Sequence, residues 1–174
     1  PSSTTPRMDR RTLIKALGAA PLAGAPLSHA QREIPAPAIG AAVALPDVPL
    51  FDGSTFRAAD AEGQVVVVYW WASWCPFCAE QSPSMQKLWD AQRARGLKML
   101  GLSIDRREED ARRYLAQRGY TFPSGMATPA TERVLPKASK ALPMTLVRGR
   151  DGRVLLAEKG QLFPEDVEQI ARFL

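Results

Sequence analysis

The 174-residue sequence predicts an α/β fold, a sheet containing parallel strands and covered by helices on both faces. Three observations carry that expectation. Residues 64–71, QVVVVYWW, form a β-branched and aromatic run that is apolar on both sides, as a central, doubly covered strand must be. Such runs alternate along the chain with segments of helical length and helical periodicity. Glycine and proline fall at the joints between them.

The elements follow in order. Residues 31–44 are Pro/Ala-rich and lack periodicity, so they read as a linker, with the folded domain spanning 45–174. Asp52-Gly53 marks a hairpin turn between two short strands. After the 64–71 strand, a helix is expected from about Cys75 to Arg95, ended by Gly96 and kinked near Ser82-Pro83. Residues 97–104, LKMLGLSI, read as the next buried strand. Residues 108–118 form an amphipathic helix with Ala111, Tyr114 and Leu115 on one face, stopped by Gly119. A loop follows. Residues 144–147 and 154–157 flank Gly149-Arg150-Asp151-Gly152 as a second hairpin. Pro164 opens a last helix whose buried stripe is Val167, Ile170 and Leu174. The expected order is β-β-α-β-α-loop-β-β-α, without an internal repeat.

Composition narrows the function classes. Apolar residues make up 45% and charged residues 24%, which excludes a wholly disordered chain and a multi-span membrane protein. Two Cys cannot form a disulfide scaffold, and one His nearly excludes a His-based metal site. The chain carries 23 basic and 18 acidic residues. More than half of that excess sits in residues 1–30, where Arg7, Arg10, Arg11 and Lys15 face Asp9 alone. The rest has no arginine-rich stripe, so no nucleic-acid partner is expected.

Residues 1–30 read as an export signal. Arg10-Arg11 precedes a weakly apolar run from Ala16 to Leu27, and Ser28-His29-Ala30 places small residues where a signal peptidase reads. The paired arginines resemble the twin-arginine export pattern. Residues 1–7 precede the first Met and read as a leading remnant or an over-long gene start. A periplasmic location, with cleavage after Ala30, is expected. The competing reading is an uncleaved anchoring helix. Cleavage would also remove His29, leaving no histidine base for Cys-His or Ser-His-Asp catalysis.

The chemistry concentrates at Trp74-Cys75-Pro76-Phe77-Cys78, directly after the buried strand and at the start of a helix. Two Cys at i and i+3 share a helix face. Cys75 would meet orphan backbone N–H groups and the positive end of the helix dipole, both of which stabilise a thiolate. Its pKa is therefore expected below the free value of ~8.5. Cys75 is then the attacking thiolate, and Cys78, one turn deeper, resolves the mixed disulfide. Neither metal nor cofactor is needed. Three other readings stand beside this one: half of a zinc site lacking its second pair of ligands, a short structural staple, and two inert buried thiols.

Residues 67–78, VVYWWASWCPFC, are similar to the active-site strand and motif of the thioredoxin superfamily. The hairpin leader LPDVPLFDGSTF, Ser82-Pro83, and GLSIDRREEDARRYLAQRGYTFP as an inserted strand and helix resemble the exported TlpA/ResA-like branch. The resemblance covers residues 45–174. It implies a thioredoxin-like mixed sheet flanked by helices on both faces, with an N-terminal hairpin and an inserted strand-helix unit. Ala141-Leu142-Pro143-Met144-Thr145 resembles the segment that carries the family's cis-proline. Pro143 would then face the sulfurs, and Leu142 would present free backbone to an extended substrate. The other reading of Pro143 is a trans-proline opening an edge strand. Trp74, Pro76 and Phe77 would border the same substrate site, although Trp74 reads equally as a core aromatic.

Two positions depart from the family. Where many thioredoxins carry a buried Asp, this chain has Tyr69. Where TlpA/ResA-like proteins carry a Glu after the second Cys, it has Gln81, with Glu80 one step earlier and about 100° away on the helix. No buried carboxylate is therefore expected to serve Cys78. The Pro76-Phe77 pair lacks the His of the strongly oxidising type, so an intermediate potential is expected.

The resemblance implies an exported protein-disulfide reductase acting in cytochrome c maturation or copper-site thiol reduction. Its expected partners are protein disulfide substrates and a membrane thiol protein that donates electrons, and the chain is expected to act as a monomer. The alternatives are a disulfide-donating oxidase of the same fold and a thioredoxin-fold module that binds a peptide or copper. A peroxidase is weaker, because no cation stands next to Cys75 in the sequence.

Overall fold

In the computed structural model, Ser2 and residues 35–138 and 140–174 are described. The expected export signal, its Ala30 cleavage point and His29 lie outside the described residues. Among these, no helix is long and apolar enough to cross a membrane.

Two-residue strands β1 (Val48–Pro49) and β2 (Thr55–Phe56) pair antiparallel around the Asp52-Gly53 turn, where Gly53 takes φ 88°. The main sheet contains β3 (Val66–Trp71), β4 (Lys98–Ser103), β5 (Ser124–Met126), β6 (Met144–Arg148) and β7 (Val154–Lys159). Its order is β5-β4-β3-β6-β7. β3 runs parallel to β4, and β4 to β5; β6 is antiparallel to both β3 and β7. The helices are α1 (Pro76–Gln92), α2 (Glu108–Arg118), α3 (Pro129–Val134) and α4 (Pro164–Gln169).

Every residue of β3 is buried, the outcome required of a strand with no polar face. Alternate side chains enter two cores. Val67, Tyr69 and Trp71 pack with Met85 and Leu88 of α1, Tyr114 of α2 and Val167 of α4. Val66, Val68 and Trp70 pack with Val48 and Phe56 of the hairpin, Ala61 of a short 3-10 helix (Ala58–Ala61) and Leu135 at the end of α3. The sheet is therefore covered on both faces.

Two elements missing from the expected order are β5 and α3, which occupy the stretch read as a loop. β5 is only three residues long and too short to alternate. α3 is a six-residue helix opened by Pro129 and a capping box between Thr128 and Thr131. α1 runs through Pro83 without a break, and a 3-10 turn carries it on to Gly96 at φ 97°. Residues 40–43 pair with the second hairpin: Gly40 N donates to Val154 O and Val43 N to Gly152 O. Arg148, buried in β6, ties this segment to the body by donating to Val43 O and to both Glu62 carboxylate oxygens, each at 3.0 Å.

Candidate functional site

The C-terminal ends of parallel strands β3 and β4 and the start of β6 meet at one edge of the sheet. The register places Trp70 opposite Met144, and Trp71 opposite Ser103. The chain leaves β3 through residues 72–74 and enters α1. Ends of parallel strands at a topological switch are where α/β sheets carry their sites.

Cys75 is the N-cap residue of α1 and has extended backbone, φ −87° and ψ 114°. Pro76 follows at the first helical position, where its missing N–H costs nothing. Cys75 and Cys78 are joined as a disulfide. The Cys78 N–H donates to Cys75 Sγ at 3.1 Å. The first sulfur thus occupies the capping position of the helix, where an anionic acceptor is favoured. Both cysteines are buried, whereas two residues of the motif that holds them are not: Trp74 is 65% exposed and Phe77 54%. Trp74 is therefore not a core aromatic. The Leu142–Pro143 bond is cis, and Pro143 immediately precedes β6. Leu142 is half-buried against both cores, one of which contains the two cysteines.

The side chains behind Cys78 are neutral. Tyr69 is buried, and its hydroxyl donates to the Cys78 carbonyl at 3.3 Å and shares a hydrogen bond with Ser82 Oγ at 3.1 Å. Burial pushes the Tyr69 hydroxyl well above its ordinary pKa, and the bond to Ser82 opposes this only in part. Gln81 is also buried. It donates to Thr145 Oγ1 at 3.0 Å and accepts from Leu162 N at 2.7 Å, linking α1 to β6 and to the loop before α4. Glu80 is exposed and accepts from Gln161.

The sequence reading missed Asp105. It is buried just past β4, and its carboxylate accepts from Ser73 N, Ser73 Oγ and Ser103 Oγ. The available signal was an acidic residue closing the apolar run LGLSI, at the end of a parallel strand beside the motif.

Residues 39–154 match the AhpC/TSA family, two thirds of the chain and all of the strands that build the site. The chain belongs to the AhpC/TSA family. Within the reach of this AhpC/TSA chain are thiol-disulfide oxidoreductases named ResA. The one from Geobacillus thermodenitrificans is 26% identical over 166 residues, 94% of this chain and 93% of that protein. The one from Bacillus thuringiensis subsp. konkukian is 25% identical over 122 residues, 68% of each chain. The structure of a thiol:disulfide interchange protein of the thioredoxin family from Chlorobium tepidum has a TM-score of 0.70 at 23% identity, covering 78% of this chain and 97% of that one. A proposed interchange protein DsbE from Chlorobium tepidum has a TM-score of 0.65 at 28% identity, covering 78% and 95%. The thioredoxin-like fold and the ResA-like resemblance expected from the sequence are what these comparisons return.

Proposed function

We propose that the chain is an exported thiol:disulfide oxidoreductase that reduces specific protein disulfides through Cys75 and Cys78. The observation that carries the reading is the placement of Cys75 Sγ at the cap of α1, accepting the Cys78 N–H. A thiolate there gains a charge-assisted hydrogen bond and the helix dipole, with no histidine required. The ResA and DsbE relatives support the reaction class.

In the reduced protein, Cys75 Sγ attacks one sulfur of a substrate disulfide. A mixed disulfide forms, and the other substrate sulfur leaves as a thiolate. Cys78 Sγ then attacks Cys75 Sγ and releases the second substrate thiolate. Two electrons have passed to the substrate, and the protein ends as the Cys75–Cys78 disulfide. A membrane thiol protein returns it to the dithiol by the reverse exchange. The substrate backbone lies along Leu142 and Pro143, where proline leaves no N–H competing for it, and its side chains rest on Trp74, Pro76 and Phe77. The protein acts as a monomer in the periplasm after cleavage at Ala30, with cytochrome c or copper-site thiols as the destination of its electrons.

The test is the reduction potential of the pair in glutathione or dithiothreitol buffers, read by thiol alkylation. The expected value lies between ~ −270 and −200 mV. A value above ~ −150 mV would make the protein a disulfide donor instead. If no reversible couple exists, the peptide- or copper-binding alternative takes its place.

A further inference from the structure

Asp105 has no role in the exchange steps proposed above, yet it is a buried carboxylate bonded to Ser73, two residues before Cys75. Burying such a group is unfavourable unless it is well bonded. Its carboxylate is bonded to Ser73, across from it, and to Ser103 at the end of β4. Oδ2 accepts from Ser73 N at 3.0 Å and from Ser103 Oγ at 2.7 Å, and Oδ1 accepts from Ser73 Oγ at 2.7 Å. Asp105 N in turn donates to Ser103 Oγ at 3.1 Å. Ser73 is thus held at two points, by its backbone N–H and by its hydroxyl. It is the middle residue of the three that connect β3 to Cys75. The other bonds fixing this turn are Cys75 N to Ala72 O at 3.2 Å and Ile104 N to Trp71 O at 3.0 Å.

We propose that Asp105 is a positioning residue for Cys75: through Ser73 it fixes the turn that presents the Cys75 sulfur to the Cys78 N–H. The inference rests on the redox reading above. A hydrogen bond to a thiolate is roughly twice as strong as one to a neutral sulfur, so misplacing the turn weakens the reduced form more than the disulfide. Asp105 has a second effect of opposite sign. Its negative charge disfavours a nearby thiolate, so removing the charge alone would favour the reduced form. The two effects move the same equilibrium in opposite directions, which makes them separable.

The measurement is the equilibrium of the protein dithiol with oxidised glutathione, which yields the protein disulfide and two reduced glutathiones. It is made on the unmodified protein, Ser73→Ala and Asp105→Asn, each with its Tm. Ser73→Ala keeps the carboxylate and removes one of its donors. Ser73→Ala, which keeps the charge and loses only the positioning, is expected to shift the equilibrium toward the disulfide by about tenfold, the effect of losing one hydrogen bond to a charged group, and Asp105→Asn is expected to shift it the same way by less, because the lost charge offsets part of the effect. Unchanged equilibria with a lowered Tm would reduce Asp105 to a structural role and overturn the inference. A shift toward the dithiol in Asp105→Asn, with Ser73→Ala unmoved, would assign the effect to charge and overturn it too. Absence of any reversible couple in the unmodified protein would remove the redox reading and this inference with it, an outcome visible before either variant is measured.

Discussion

Tyr69 occupies the position behind Cys78 where the thioredoxin resemblance implies an acid, and the difference is chemical. A buried carboxylate can take and return a proton near neutral pH, whereas a phenol whose ionisation is pushed up by burial stays protonated there. Tyr69 therefore anchors α1 at the Cys78 carbonyl and at Ser82. Tyr69→Phe removes both hydrogen bonds and takes from buried Ser82 its tyrosine partner. The expected cost is about 1–3 kcal/mol in denaturant unfolding. The pH dependence follows from the direction of the shift. Above ~pH 10 an unfolded tyrosine ionises while Tyr69 in the folded protein stays protonated, so the native state holds the extra proton and stability falls as pH rises. Tyr69→Phe is expected to lower that slope by up to ~1.4 kcal/mol per pH unit, measured by denaturant titrations between pH 9 and 11. An unchanged slope would mean that Tyr69 ionises as freely in the fold as out of it.

At the scale of elements, the hairpin β1–β2 is docked by backbone bonds as well as by Val48 and Phe56 in the core. Leu50 bridges to Gly125, and Phe51 N donates to Ser124 O at 2.8 Å. This close approach requires glycine at position 125, since a Cβ there would meet the Pro49 carbonyl and the Val48 side chain. Gly125→Ala is expected to destabilise by about 1–3 kcal/mol, as overpacking does, and to speed hydrogen exchange in residues 48–56 before the rest of the sheet. Uniform exchange changes would show that the hairpin does not open separately. The elements legible in the sequence were those with a strong local signature: the all-apolar β3, the Ala111-Tyr114-Leu115 stripe of α2, and helix ends marked by Gly96, Gly119 and Pro164. β5 and α3 were not, because three residues cannot display a period of two, and a six-residue helix presents too little apolar surface to be periodic.

For the molecule as a whole, the proposed location depends on the leader and not on the fold. Expressed in a Gram-negative host, the chain is expected in the periplasm with Gln31 as its N-terminus, seen by mass spectrometry, and Arg10→Lys with Arg11→Lys is expected to retain it in the cytoplasm. Export unaffected by that change would remove the twin-arginine route. The sequence by itself determined the cysteine pair and its setting. Cys75 and Cys78, at the start of a helix after a buried strand, are three positions apart with Pro76 between them, and local geometry decides what such neighbours do. Only the tertiary structure decided what surrounds them. Ser73 and Asp105 are 32 positions apart and Gln81 and Thr145 are 64 apart, yet they meet because β3, β4 and β6 lie side by side. Contacts of that kind depend on which strand pairs with which, and pairing is settled by cooperative burial of the whole sheet, which leaves no periodic mark on the residues that end up touching.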